Sequence, residues 1–373
     1  MKRIFAFATA LIFALFFSFS AFADVDDDIK SEYEDFFGGV EGSISGVLPD
    51  GVEGKDPVSD AEALTDWKYV FSFIGDVLGS SISEIMPIFF TLCGLVLLSA
   101  AIEAFRSSLD PKFGDMLSAC SFFAVGAAAL TLQYGVIASS ARYIGDLCSV
   151  ANVLFPITVS LYAAGGNVAS ASVSGGAFGI FLGICENVLS RSIVPFSGIC
   201  LALATTTGFS ASFDLRPISG VIKKTYATAL GFIMMLFCAV TAAQNAIASG
   251  QDSLGLRAVK FFAGSAIPIV GGAVGESMKT LAASVGILRK SIGVCGIVII
   301  FLIFLPTLFS LLLMKTANGA ASGVAAMLGC SREASLLSEI GSVFGYIAAV
   351  LSATSLMFVF LLTLLVGTAS VGV

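Results

Sequence analysis

Residues 292–314 read IGVCGIVIIFLIFLPTLFSLLLM, a run of 23 residues without one charged side chain. As an α-helix this run would extend about 34 Å, because each residue rises about 1.5 Å. The hydrocarbon core of a bilayer is about 30 Å thick. The run therefore predicts a helix that crosses a membrane.

The composition extends this prediction to the rest of the chain. Of the 373 residues, 57% are hydrophobic and 12% are charged, and the mean hydropathy is +0.98. Soluble domains are about one quarter charged, because charged side chains keep their surface in water. We therefore predict an all-α, polytopic integral membrane protein.

Further apolar segments predict the other spans of a membrane domain that covers residues 85–373. Clear spans are expected at 85–102, 116–138, 147–164, 226–247 and 344–366. A hairpin with arms at 175–189 and 193–213 would turn at Ser190 and Arg191. Residues 261–278, which contain Pro268, are a weaker candidate for a short span or a re-entrant loop. We expect seven to nine transmembrane helices.

The N-terminus resembles an export signal. Lys2 and Arg3 precede an apolar run at 4–17, and Ala21-Phe22-Ala23 has the small-x-small pattern of a signal peptidase site. We predict a cleavable signal peptide at residues 1–23. An uncleaved N-terminal anchor is the alternative.

Residues 24–84 form a predicted acidic arm outside the cytoplasm. This segment has 16 acidic and 3 basic residues, whereas residues 85–373 carry a net charge of +4. Such an arm would be repelled by anionic lipid headgroups, so we expect it to meet proteins. Apolar residues from Leu64 to Leu78 recur at helical intervals and predict an amphipathic helix. That helix either packs on the chain's own bundle or docks an external partner.

Clusters of Lys and Arg bear on the orientation in the membrane. Basic residues gather at 106–112, 216–224 and 289–290. Cytoplasmic segments are usually enriched in Lys and Arg. If all three clusters are cytoplasmic and the arm is external, nine spans and a cytoplasmic C-terminus follow.

Missing residue types exclude several functions. The chain has no histidine, which removes His-dependent catalysis and metal ligation. Its eight cysteines form no CxxC pair, and no nucleotide-binding fingerprint is present. No basic, aromatic-rich patch suggests nucleic-acid binding. We expect no enzymatic activity, no cofactor, no metal, and neither nucleotide nor nucleic acid as a partner.

Glycines four residues apart are candidates for close helix packing. Gly175, Gly179 and Gly183 form one series, and Gly271 and Gly275 form a second. The same spacing recurs at 319 and 323 and at 341 and 345. Small side chains let helix backbones approach closely in a membrane. These glycines pack either within the chain or against other membrane subunits.

Glu186 and Asn187 are polar residues inside a predicted membrane segment. Ionisable groups at membrane depth are costly and often mark a pathway, so these two residues are candidates for lining a conduit. The alternative for Glu186 is an interfacial ion pair with Arg191.

Two stretches resemble the stage III sporulation protein AE family. Residues 256–272 read LRAVKFFAGSAIPIVGG, and residues 287–296 read ILRKSIGVCG. The family motif is carried by Arg257, Lys260, Pro268 and Gly271. The likeness covers roughly residues 60–373, whereas residues 24–58 match poorly.

This resemblance implies a function. Members of the family are subunits of a channel or secretion-like complex in the mother-cell membrane around the engulfed forespore. The complex supports forespore development and late gene expression. The implied partners are other subunits of the stage III sporulation complex, a forespore-side partner and membrane lipid, with energy from a separate ATPase.

Two other classes stay open on the residues alone. Prolines in or beside the apolar segments and polar groups within them are also typical of an independent secondary transporter or permease. A membrane scaffold that conducts nothing would have the same close-packed spans.

Overall fold

Helices make up nearly all of the chain that the computed structural model describes, namely residues 38, 60, 63–64, 66–106, 111–164, 167–206, 216–266 and 271–367. In chain order the helices are α1 Trp67–Arg106, α2 Pro111–Ala164, α3 Val168–Ile184, α4 Ser190–Thr206, α5 Arg216–Ala266, α6 Gly271–Met327 and α7 Ser331–Gly367. A π-helical segment, Cys185–Leu189, joins α3 directly to α4. The all-helical prediction is confirmed for these residues.

Six helical units within the described ranges are long and apolar enough to cross a membrane. They are α1, α2, the continuous unit from α3 to α4, α5, α6 and α7. The sequence predicted seven to nine spans, and that total stays a prediction because the six units are counted only in the described ranges. The spans predicted at 116–138 and 147–164 are two parts of one 54-residue helix, α2.

The predicted hairpin at Ser190 and Arg191 is wrong. The backbone N–H of Ser190 donates to the carbonyl of Cys185, so the helical hydrogen bonding continues through this point. A π-helical turn accommodates one extra residue without ending the helix. The polar residues here lower the local hydropathy, but none of them breaks a helix as proline does.

The predicted weak span at 261–278 includes parts of two helices. α5 ends at Ala266 and α6 begins at Gly271, and residues 267–270 lie outside the described part. The predictions for the signal peptide and for residues 24–37 and 39–59 of the arm also fall outside it.

The first apolar residue of the amphipathic segment packs on the chain's own bundle. Leu64 is fully buried in a small apolar cluster with Val294, Val298 and Leu302 of α6. The helix that follows is α1, which continues through residue 84 into the first apolar span. Phe71 and Leu78 belong to the predicted apolar series, yet they are 66% and 37% exposed.

α6 and α7 form the centre of the bundle. In their most apolar windows 56% and 61% of residues are buried, against 22% for α1 and 17% for α5. The two helices approach closely where a Cβ added to Gly341 would lie 3.2 Å from the Cβ of Asn318. Gly329, with φ of 82°, adopts the left-handed conformation in the turn between them.

Contacts between helices that are distant in sequence give the helix directions. Gln133 and Asn318 exchange amide hydrogen bonds, and the rings of Tyr143 and Phe304 lie 5.9 Å apart. Residue numbers rise along α2 as they fall along α6, so these helices are antiparallel. Tyr143 also bonds Ser355 of α7, and a Cβ added to Gly126 would lie 3.2 Å from Leu336, so residue numbers rise together and α7 runs parallel to α2.

Candidate functional site

A polar cavity of about 950 Å³ lies between α2, the junction of α3 and α4, and α6. Its walls carry three charged side chains, several hydroxyls and one carboxamide. The lining residues with polar side chains are Ser139, Arg142, Tyr143, Asp146, Cys148, Ser149, Asn152, Glu186, Ser190 and Thr307.

The α2 wall is a helical stripe of polar residues. Arg142, Asp146 and Ser149 follow one another at intervals of four and three residues, with Ser139 and Asn152 extending the series at either end. Residues at these intervals share one face of an α-helix. The sequence prediction missed this stripe because it placed residues 139–146 between two spans. The regular spacing was the signal that could have revealed it.

The opposite wall depends on two interruptions of regular helix. The π-helical turn between α3 and α4 carries Glu186 on the cavity lining, next to Ser190. In α6, Pro306 lines the cavity and has no N–H to donate to the carbonyl of Leu302. π-helical turns occur frequently at functional sites.

The three charged groups of the cavity have no partners in the described part of the chain. Arg142, Asp146 and Glu186 are all exposed, and none makes an ion pair or side-chain hydrogen bond with any residue in the described ranges. In particular, the ion pair expected between Glu186 and Arg191 is not formed. Asn187 does not line this cavity, because its carboxamide is exposed and donates back to the carbonyl of Gly183 at 3.1 Å.

Some other charged groups in the bundle are compensated. Lys223 of α5 lies 2.9 Å from the carboxylate of Glu339 on α7. Both carboxylate oxygens of Asp252 accept hydrogen bonds at 2.9 Å from the N-terminus of α3, one from the N–H of Ala169 and one from that of Ser170. Arg191, Lys224 and Lys315, which do not line the cavity, also make no ion pair with a described residue, so the cavity differs in bringing three unpaired charges into one recess.

A second buried polar cluster lies at the turn between α6 and α7. Ser99 donates to the carboxylate of Glu333 at 2.6 Å, and Ser121 donates to Ser99 at 2.7 Å. Burial raises the pKa of the Cys330 thiol, and the carboxylates of Glu333 and Glu103 raise it further, whereas a hydrogen bond with Ser99 lowers it. A thiol with a raised pKa is a poor nucleophile and metal ligand at neutral pH. In the described part of the chain, no three Cys, Asp or Glu side chains group closely enough to hold a metal ion.

The predicted packing glycines differ in their surroundings. A Cβ added to Gly175 would lie 3.8 Å from the ring of Phe155, in ordinary contact. The same atom on Gly179 or Gly183 would have nothing within 4 Å. Gly271 and Gly275 lie in the first turns of α6, where the side-chain surroundings are outside the description.

Three of the four family-motif residues belong to described helices. Arg257 and Lys260 belong to the C-terminal part of α5, and Gly271 begins α6. The side chains of Arg257 and Lys260, and Pro268 as a whole, are outside the described part.

The helices and the cavity together define a class, namely polytopic α-helical membrane proteins with a polar recess in the bundle. A family model for stage III sporulation protein AE matches residues 55–369, and the chain therefore belongs to that family. It is similar to stage III sporulation protein AE of Bacillus subtilis (strain 168), with 23% identity over 347 residues. The alignment covers 91% of this chain and 83% of the relative. No solved structure matches the chain.

Family membership confirms the resemblance noted in the sequence. It also identifies the chain as a sporulation-related protein, and its apolar helices are consistent with a position in a membrane.

Proposed function

We propose that this chain is an integral subunit of a channel or secretion-like complex in the mother-cell membrane around the engulfed forespore. The polar cavity between α2, the α3–α4 junction and α6 forms part of its water-filled path. Forespore development and late gene expression depend on that path. The observation that carries the proposal is the set of three unpaired charges in the cavity.

The physical argument rests on the cost of charge in hydrocarbon. Ionisable groups within a membrane normally face a water-filled cavity or pair with one another. Ile303, at the middle of the apolar run 292–314, lines the same cavity as Glu186. Unpaired charges beside the centre of a membrane helix are best explained if the cavity faces water in the assembled complex.

Assembly supplies the rest of the path in this proposal. The cavity is a recess on one chain, so other subunits of the stage III sporulation complex complete its wall. The acidic arm meets a forespore-side partner. The chain itself catalyses no reaction, and energy comes from a separate ATPase subunit.

Deletion of the gene in its spore-forming host tests the biological role. We expect arrest after engulfment and loss of late forespore reporter expression, with vegetative growth unchanged. Normal spores would contradict the proposal. A vegetative transport defect would instead favour an independent transporter.

Cysteine labelling tests whether the cavity contains water. In a background with Cys93, Cys120, Cys148 and Cys238 replaced by serine, Ser149→Cys places a thiol on the lining and Met235→Cys places one on the 73%-exposed apolar surface of α5. A charged methanethiosulfonate reagent reacts with thiolates, which form in water.

In isolated membranes from sporulating cells, where both faces are accessible, we expect Ser149→Cys to react at least about tenfold faster than Met235→Cys. Equal protection of both thiols would exclude a water-filled cavity and favour the scaffold.

A further inference from the structure

We infer that the cavity binds small zwitterionic solutes, which carry one carboxylate and one ammonium group as amino acids do. The inference rests on the proposed function and specifies the class of solute that the path accepts. It is based on the signs of the three unpaired charges and on the chemistry of the groups around them.

The charges of the cavity are mixed in sign. Arg142 and Asp146 lie one helical turn apart on α2, at a spacing that permits an ion pair, yet they form none. Glu186 adds a second carboxylate from the α3–α4 junction. One guanidinium and two carboxylates are therefore all available to a ligand.

A ligand with only one kind of charge fits this arrangement poorly. A carboxylate would be attracted by Arg142 but repelled by Asp146 and Glu186. An ammonium group would be attracted by the two carboxylates and repelled by Arg142. A zwitterion can direct each of its groups to the opposite charge, and such complementarity is how binding sites discriminate among charged ligands.

The uncharged part of the lining favours a polar ligand of modest size. Ser149, Asn152, Ser190 and Thr307 provide hydrogen-bond donors and acceptors around the charges. A volume of about 950 Å³ is within the usual range of ligand sites, about 300–1,000 Å³. An amino-acid-sized solute would share this space with water, which suits passage better than tight retention.

Three small molecules separate the candidate ligands. Glycine carries both charges, acetate carries only the carboxylate, and methylammonium carries only the ammonium group. The readout is the labelling rate of Ser149→Cys in the isolated membranes described above. We expect glycine to slow labelling in a saturable manner, by about threefold when its concentration is twice its Kd. Acetate and methylammonium should have little effect.

Variants that remove one charge show which side chains are responsible for the protection by glycine. Arg142→Gln and Glu186→Gln should each abolish protection by glycine, measured as the ratio of the labelling rates with and without glycine in the same variant. Lys224→Gln, which removes an exposed charge on α5 away from the cavity, is the matched control and should retain protection.

The outcomes distinguish this inference from the proposed function. Rapid labelling that is independent of glycine would overturn the zwitterion site and leave the water-filled path intact. Protection by acetate alone or methylammonium alone would also overturn it. Absence of labelling at Ser149→Cys would instead contradict the path on which the inference rests.

Discussion

At the scale of single residues, Glu186 has no partner within the described chain, although it is a charged group on a helix that can span a membrane. Asn187 beside it bonds to its own helix. The sequence identified both residues as conduit candidates, because polar residues in an apolar segment are conspicuous. It could not distinguish them, because which of two adjacent side chains reaches a cavity depends on the local helix geometry.

Replacing Glu186 tests whether its charge is required. In Glu186→Gln we expect normal accumulation of the protein and about a fivefold decrease in late forespore reporter expression. That decrease corresponds to a loss of about 1 kcal/mol of attraction for the positive part of a solute. Asn187→Ala is the control and should behave as the wild type. Normal reporter expression in Glu186→Gln would mean that the charge is not needed.

At the scale of helices, the glycine pairs differ in what they contact. Gly341 lies against the Cβ of Asn318 and the backbone carbonyl of Lys315, two groups that move little. Gly323 has nothing within 4 Å of an added Cβ. Both glycines belong to GxxxG series, so the pattern by itself did not reveal which of them packs.

Replacing these glycines tests the packing of α6 on α7. Gly341→Leu should destabilise the detergent-solubilised protein by about 1–3 kcal/mol, because the new side chain forces the helices apart. Gly323→Leu, with open space around it, should leave the thermal unfolding midpoint nearly unchanged. Equal midpoints for the two variants would contradict the close contact.

The series at Gly175, Gly179 and Gly183 tests contact with other subunits. Because Gly179 has open surroundings within the chain, Gly179→Leu should leave the stability of the isolated protein unchanged. If this face packs against another membrane subunit, the same change should reduce co-purification of that subunit several-fold, since close approach requires small residues. Gly220→Leu, which is also open but lies on α5, is the control. Unaltered co-purification would assign the Gly179 face to lipid.

At the scale of the whole molecule, the number of crossings determines where the chain ends lie. Six membrane-length units that alternate in direction would return the chain to the side on which α1 begins. Nine spans, as the basic clusters suggested, would place the ends on opposite sides.

Reporter fusions test whether the number of crossings is even or odd. Alkaline phosphatase, which is active only outside the cytoplasm, can be fused before α1 after residue 66 and beyond α7 after residue 373. We expect the two fusions to report the same side. Opposite sides would restore an odd number of spans and require a break in one of the long helices.

The sequence by itself predicted a membrane environment, an all-helical fold and the family. Mean hydropathy is a sum over neighbouring residues, so a long apolar run is visible in the sequence. Because a segment in hydrocarbon must satisfy its backbone hydrogen bonds within itself, such a run predicts a helix directly. The family depends on the order of residues and requires no coordinates. These properties were readable because each depends on neighbours in the chain.

Tertiary structure alone decided where helices continue and which polar groups are compensated. Polar residues at 139–146 and 186–191 lowered the hydropathy and suggested breaks, but backbone hydrogen bonding carries α2 and the α3–α4 unit through them. Lys223 pairs with Glu339, 116 residues away, whereas Arg142 and Glu186 have no partner among the residues that the structure describes. Such pairing depends on distances between helices that are remote in sequence, and no local pattern encodes them.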